Sequence, residues 1–353
     1  MVKAMRILAT GGAGFIGSHM ICYLLDQGCD VLNIDKLTYA GSLDNLGAHL
    51  NHDKHRFEKV DICDASAIKN LFNDFKPQKV IHMAAESHVD RSIDSPQTFI
   101  ETNVNGTHNI LKAAYDFWVG LEGTEKSYFR FVHLSTDEVF GALGEEGAPF
   151  TEESPYKPNS PYSASKASSD LLVRSYYKTY DFPAIIINTS NNYGPRQYPE
   201  KLIPLIVLSA LEENPLPVYG EGKQIRDWLY VEDHIDGLWR AMNDGKAGET
   251  YCIGGNCEKR NIDIVHTICD ILDAHYPREG ARSYRDLIQF VADRPGHDFR
   301  YAIDSGKAQK ELGWHPKQSF DQRLEQTVHW YAAQKDRLLD VHKRQRQGKV
   351  GSA

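Results

Sequence analysis

The sequence contains no run of the roughly 18 apolar residues that a membrane-spanning helix needs. Its opening, Met1-Val-Lys-Ala-Met-Arg6, leads directly into a short apolar stretch and glycines. A secretory signal would show a longer apolar core and a small-residue cleavage site. Secretion and membrane insertion are therefore not expected, and a cytoplasmic location is. Positive charge is not in excess either: 40 Lys and Arg against 48 Asp and Glu leave a net charge of −8. Binding along a nucleic-acid backbone needs concentrated cations, so a general polyanion binder is argued against. Cysteine is sparse. Cys22, Cys29, Cys63, Cys252, Cys257 and Cys269 form no C-x-x-C pair and no metal-ligand spacing, and no histidine falls in an H-E-x-x-H pattern. No metal is expected, and the thiols read as reduced. In that setting the N-x-[ST] matches at Asn105 and Asn188 read as accidents. No internal repeat or low-complexity tract is present.

What remains is the composition of an ordinary globular protein, 353 residues long with 41% hydrophobic and 25% charged residues. Its first half alternates β-type runs with helical patterns. Arg6–Thr10, Val31–Ile34, Lys79–Met83, Phe129–Leu134 and Ala184–Asn188 read as buried strands. Gly14–Gln27, Ala65–Phe75, Thr98–Phe117 and Ser163–Thr179 carry helical apolar spacing. This alternation predicts an α/β fold, a doubly wound parallel sheet of Rossmann type covered on both faces. Beyond Asn191 the texture changes, and Pro195, Pro199, Pro204, Pro215 and Pro217 crowd a short span. The expectation is a dinucleotide-binding domain over 1–190 and a smaller substrate domain over 191–335. Returns to the first domain are expected near 230–255, as a helix over Tyr230–Asp244 and a strand over Thr250–Ile253. The basic, polar tail 342–353 is expected to be flexible.

Thr10-Gly-Gly-Ala-Gly-Phe-Ile-Gly17 follows the first strand and opens the first helix. Gly12, Gly14 and Gly17 fit G-x-G-x-x-G, and Gly11, Gly14 and Gly17 fit the spacing G-x-x-G-x-x-G. Such glycines let the backbone approach a pyrophosphate, which the helix N-terminus then attracts. Asp35 ends the second strand, where a carboxylate accepts from ribose hydroxyls and repels a 2′-phosphate. NAD is therefore favoured over NADP, although Lys36 is a cation that could face a phosphate. Asp61, after a further β-type run, could bind adenine; alone, such a residue is more often a turn former.

Tyr162-Ser-Ala-Ser-Lys166 sets a phenol and an ammonium four residues apart, on one face of a helix. A free tyrosine is a poor base at neutral pH. A nearby Lys166 and the nicotinamide charge would stabilise the phenolate and lower its pKa. Taken alone, a Y-x-x-x-K is common by chance. Beside the glycine fingerprint and Ser135-Thr136, the chain resembles the extended short-chain dehydrogenase/reductase family over roughly Met5–Trp330. Leu134-Ser-Thr-Asp-Glu-Val-Phe-Gly141 narrows that resemblance to nucleotide-sugar 4,6-dehydratases. Asp35–Gly41, His82–Arg91, Asn191–Pro195, Lys201–Pro204, Arg226–His234 and Asp293–His297 do the same. Arg196-Gln-Tyr198 and Phe299 depart from the pattern.

The resemblance implies NAD as cofactor and dTDP-glucose as substrate. Tyr162, with Thr136 and Lys166, would take the glucosyl 4-hydroxyl proton while hydride leaves C4. Glu138 would then remove the C5 proton, and Asp137, protonated, would donate to the departing C6 hydroxyl. Hydride return to C6 completes a 4-keto-6-deoxy sugar with loss of water. Such acid–base work requires the pKa values of the two carboxyls to be pushed apart. The same resemblance assigns Gly11, Gly14, Phe15, Ile16, Gly17, Asp35, Lys36, Thr38, Asp61, Ile62, Ala84, Ala85, Thr102, Tyr162, Lys166 and Asn192 to NAD. It assigns Glu86, Ser87, Thr136, Asn191, Lys201, Leu202, Pro217, Tyr219, Arg226, Asn261, Arg294 and His297 to the nucleotide sugar. The arginines suit a diphosphate and Tyr219 could stack on a pyrimidine. A homodimer packed through helices near Thr98–Phe117 and Ser163–Thr179 is also implied. Three rivals stay open: the same chemistry on UDP-glucose, a 4-epimerase or decarboxylase, and an NAD-binding protein without catalysis. Asp137 and Glu138 argue against the second, since such enzymes need no added acid–base pair. The complete Thr136, Tyr162 and Lys166 set argues against the third.

Overall fold

The computed structural model describes residues 4–293, 296–317 and 319–339. In chain order its first six strands are β1 (Arg6–Thr10), β2 (Asp30–Asp35), β3 (His55–Lys59), β4 (Lys79–His82), β5 (Arg130–Thr136) and β6 (Ala184–Thr189). Six more follow: β7 (Asn191–Tyr193), β8 (Leu216–Tyr219), β9 (Ile225–Tyr230), β10 (Thr250–Ile253), β11 (Glu258–Arg260) and β12 (Ile288–Val291). Seven of them form one parallel sheet in the order β10-β6-β5-β4-β1-β2-β3. The interior strands are apolar on both faces because helices cover both, which is why they read as continuous apolar runs rather than alternating ones. β1 lies between β2 and β4, so the chain direction across the sheet reverses there. A crevice opens at the carboxyl ends of the strands flanking such a point, and it is where ligands bind in open α/β sheets.

The expected strand over Thr250–Ile253 is β10, paired with β6 as Thr250↔Ile186 to Ile253↔Thr189. The helix Val231–Asp244 packs Ile235, Leu238, Ala241 and Met242 into the same core as Ile7, Ile81 and Ile185. Chain from the far end joins that core too. Ala308, Leu312 and Trp314 pack there, and the Trp314 indole donates to the Asp233 carbonyl at 2.9 Å. A second core gathers Ile206, Val207, Ile264, Ile268, Leu324, Val328 and Tyr331 from the helices Leu202–Leu211, Asn261–His275 and Phe320–Ala333. Beside it lie a three-stranded sheet, β11-β9-β7, and a parallel pair, β12-β8. The tail 342–353 lies outside the described residues.

One local departure shapes the site. The run expected as a single helix from Thr98 is a π-helix over Ile100–Gly106 before it continues as Thr107–Val119. The wider turn buries two consecutive side chains, Thr102 and Asn103. Single π turns inside helices are frequent at functional sites, and here Thr102 lines the crevice while Asn103 bonds the loop after β4.

Candidate active site

β1 ends at Thr10 and α1 (Phe15–Asp26) begins five residues later, so Gly11, Gly12, Ala13 and Gly14 form the whole turn. Gly11 has φ +75°, and a Cβ there would come within 2.8 Å of the Ala84 backbone. A Cβ on Gly17 would overlap the Gly11 carbonyl oxygen. No side chain caps the N-terminus of α1 at Gly14, so its backbone N–H groups remain available to an anion. Asp35 accepts from Ala13 N at 3.0 Å and Leu37 N at 2.8 Å, which fixes its carboxylate at the end of β2. Burial raises its pKa against those two bonds and the Lys36 charge. Lys36 is held by a carboxylate: its Nζ lies 3.5 Å from Asp61 Oδ2 and 3.3 Å from Thr102 Oγ1. A cation already neutralised in this way is a poor partner for a 2′-phosphate, which supports NAD.

A cavity of about 300 Å³ runs from this turn across the carboxyl ends of β1, β4, β5 and β6. Of the residues assigned to the dinucleotide, Gly11, Gly14, Phe15, Ile16, Gly17, Asp35, Lys36, Thr38, Ile62, Ala84, Ala85, Thr102, Tyr162, Lys166 and Asn192 line it. Asp61 does not; it stands behind, holding Lys36 and the Cys63 N–H. The cavity lining therefore fits a dinucleotide: glycines that admit a backbone approach, an uncapped helix end, and a fixed carboxylate.

The same cavity continues to the acid–base groups. Ser160 and Pro161 start the helix Pro161–Tyr180 through a reciprocal capping box with Ser163. That start places Tyr162 in the first turn and Lys166 one turn later. β5 ends at Thr136, whose side chain caps a single helical turn, Asp137–Phe140, by accepting from Glu138 N at 3.3 Å. Thr136 also donates to Asp137 Oδ1 at 3.3 Å and hydrogen-bonds the Tyr162 phenol. Thr136, Asp137, Glu138, Tyr162 and Lys166 thus share one wall of the cavity.

Asp137 is 1% exposed, and its Oδ2 has no partner among the described residues. Burial pushes its carboxyl well above the usual range, with the nearby Glu138 and Asp227 carboxylates adding to the shift. An ionised carboxylate left so would cost several kcal/mol; the protonated form is what the site favours. Burial thus favours the protonated Asp137 carboxyl beside Glu138, the state that an acid for a departing hydroxyl would need.

Tyr162 is buried in this wall. Its pKa is raised, first by burial and then by Glu138, despite the Thr136 hydrogen bond. Lys166 lies one turn further along the same helix. Its Nζ donates to the Leu134 carbonyl at 2.7 Å, and burial pulls the ammonium down to about 8. Spacing of four residues sets the face of a helix, but not where a long side chain ends.

The nucleotide-sugar assignments divide into two groups. Glu86, Ser87, Thr136, Asn191 and Lys201 line the cavity. Asn191 Oδ1 there is buried with no partner among the described residues, and Lys201 Nζ donates to the Ser87 carbonyl at 2.9 Å. Leu202, Pro217, Tyr219, Arg226, Asn261 and His297 lie outside that lining. Tyr219 is 43% exposed and meets the His297 ring edge-on at 6.1 Å, beside the β8–β12 pair. Arg226 is buried, donating to the carbonyls of Ile225, Asp298 and Phe299. Arg294 lies outside the described residues.

Several residues in the site escaped sequence reasoning. Asn103 accepts from Glu86 N at 2.8 Å and donates to the Glu86 carbonyl and to Ser165 Oγ, tying the loop after β4 to the Tyr162 helix. Ser190, Gln197, Tyr198 and Glu200 also line the cavity. Only the π-helix explains why Asn103 points inward, and no spacing signal announced it.

A Rossmann sheet, a glycine turn with a strand-end Asp35, and a Tyr162–Lys166 helix beside Thr136 define a nucleotide-sugar enzyme of the short-chain dehydrogenase/reductase class. A family model described as GDP-mannose 4,6 dehydratase matches residues 8–327, and the chain belongs to that family. A dTDP-glucose 4,6-dehydratase from Shigella flexneri is 54% identical over 338 residues, covering 93% of each chain. A solved dTDP-glucose 4,6-dehydratase from Streptomyces venezuelae, with NAD and dTDP bound, superposes with a TM-score of 0.85 at 43% identity, over 94% of this chain and 98% of that one. The UDP-glucose 4-epimerase of Thermotoga maritima shares the fold at TM-score 0.82 but only 27% identity, over 93% of this chain and 99% of that one. The fold alone therefore does not separate dehydratase from epimerase.

Proposed function

We infer that this enzyme is a dTDP-glucose 4,6-dehydratase, converting dTDP-glucose to dTDP-4-keto-6-deoxy-glucose and water. The observation that carries this reading is Asp137: a buried carboxyl held neutral, next to Glu138, in one cavity with Thr136 and Tyr162. An epimerase needs no acid to expel a hydroxyl. NAD, when bound, accepts hydride from C4 and returns it to C6, so it is unchanged over a cycle. We assign its pyrophosphate to the Gly11–Gly17 turn and its adenosine ribose to Asp35. Tyr162, hydrogen-bonded to Thr136, takes the 4-hydroxyl proton. Lys166, and the nicotinamide charge when NAD is bound, would offset the burial and the Glu138 carboxylate that raise Tyr162. Glu138 takes the C5 proton made acidic by the new ketone, and Asp137 gives its proton to the C6 hydroxyl as water departs. The C5 position is reprotonated as C6 is reduced.

The test is mass spectrometry of products from purified protein given dTDP-glucose or UDP-glucose without added NAD. Loss of one water is expected, faster from dTDP-glucose by about 10–200-fold, the range a single pocket methyl can discriminate. Inversion at C4 without water loss would refute the dehydratase reading.

The homodimer is part of the same proposal. Ile100 and Leu171 are 47% and 57% exposed on the two helical segments expected to pack across it. Sedimentation velocity should report twice the chain mass of 39.9 kDa; a monomer at assay concentration would contradict it. We also place the enzyme in the cytoplasm, supported by six free cysteines, four of them buried; recovery with a membrane or secreted fraction would contradict that. No helix among the described residues is long and apolar enough to cross a membrane.

A further inference from the structure

Away from the catalytic cavity, two helices of the second core bring two imidazoles and a carboxylate together. His275 is the last residue of the helix Asn261–His275, and Glu325 and His329 stand one turn apart on the helix Phe320–Ala333. His275 Nε2 lies 3.1 Å from Glu325 Oε1, and His329 Nε2 lies 3.8 Å from the same oxygen. One ligand atom from each of the three falls within 4.8 Å of the other two. Among the described residues this is the only such group of three His, Cys, Asp or Glu side chains. Sequence spacing shows only the Glu325–His329 half of the set. Helix packing supplies His275, so no motif announced it.

The core explains the convergence. Leu324 and Val328 enter the same core as Ile264, Ile268 and Leu272. Glu325 and His329, each the next residue, therefore stand at its rim, half exposed. The two imidazole rings meet edge to face with centroids 4.8 Å apart. The Tyr276 phenol lies 2.9 Å from His329 Nδ1. With Nδ1–H donating to that oxygen, Nε2 keeps its lone pair for the shared point, and partners of this kind orient metal-bound histidines. The helix Asn261–His275 also ends here, and the partial negative charge of a helix C-terminus favours a cation.

Two imidazoles and one carboxylate suit a divalent ion of the zinc class, whereas calcium and magnesium prefer all-oxygen sets. Bonds of about 2.0–2.1 Å place neighbouring ligand atoms of a tetrahedral zinc site about 3.3 Å apart. The two separations from Glu325 Oε1 bracket that distance, and half-exposed side chains close the remaining gap by small rotations. We propose that His275, Glu325 and His329 form a zinc-class metal site, with water in the fourth position, that clamps the helix Phe320–Ala333 to the helix Asn261–His275. None of the three lines the catalytic cavity, so the site is structural and independent of the dehydratase reading.

The test is calorimetric titration of ZnCl₂ into untagged full-length protein, freed of metal by chelator and dialysis. Wild type should bind one equivalent of Zn²⁺ per chain. Tyr276→Phe should weaken that binding about 10–100-fold, the usual cost of losing an orienting partner, and Glu325→Gln or His329→Ala by about 100-fold or more. Thermal unfolding gives a second readout, because an ion that binds only the folded chain raises the midpoint with its concentration. The midpoint should rise with Zn²⁺ in wild type and stay in place in Glu325→Gln. That variant keeps the side-chain shape, so it carries the test should His329→Ala fail to fold. Absence of binding by wild type would overturn the proposal. Zinc binding of equal strength in wild type and the ligand variants would overturn it too, since other side chains would then be the ligands.

Discussion

Replacing Tyr162 by phenylalanine should stop the reaction before C4 loses its hydrogen. The ring fills a buried site and keeps its edge-on contact with Phe99 at 6.3 Å, so folding should survive. What disappears is the phenol bonded to Thr136, the group proposed to take the 4-hydroxyl proton as hydride leaves. A positioned acid–base group is worth about 10²–10⁴ in rate, and kcat should fall by that order. The direct check is the oxidation state of the bound dinucleotide after mixing with dTDP-glucose. It should remain oxidised. Reduction at the wild-type rate would assign the first proton transfer to another residue.

Asp137→Asn should have an effect of similar size at a later point. Asparagine nearly matches the shape of the carboxyl and keeps an oxygen for the Thr136 hydroxyl, but it has no acidic proton for the leaving hydroxyl. C4 oxidation should proceed, the bound dinucleotide should stay reduced, and water loss should slow about 10²–10⁴-fold. The pH dependence gives a second check. Burial raises the Asp137 pKa, so the acid is present at neutral pH and is lost as pH rises through the raised value. The alkaline loss of elimination due to this group should vanish in Asp137→Asn. Unchanged turnover would remove Asp137 as the acid.

The parts of this molecule that could be read from sequence are those in which local pattern and tertiary role coincide. β1, β4 and β6 are apolar on both faces because both faces are covered, so continuous runs sufficed to find them. The glycine turn is legible because backbone geometry there tolerates no side chain at Gly17. The trio after Leu134 was legible only through resemblance, since T-D-E by itself is an unremarkable loop start. Other features depend on what the chain meets after folding. The inward turn of Asn103 needs a π-helix, for which residues 100–106 carry no evident pattern. The bond from the Lys166 ammonium to the Leu134 carbonyl depends on where β5 meets the helix. The second core draws on segments from Tyr193 to Tyr331, too far apart for periodicity to reveal it.

The position of β10 has a consequence for how the chain is made. β6 is buried along its whole length and hydrogen-bonds β5 on one side and β10 on the other. During synthesis its outer edge stays open until Ile253 has left the ribosome, about sixty residues after β6 is complete. An unpaired apolar edge is a template for another chain. The sheet that presents Thr136, Asp137 and Glu138 is therefore sealed by a late-emerging segment, and nascent chains of this enzyme share a window in which crowding by sister chains competes with folding.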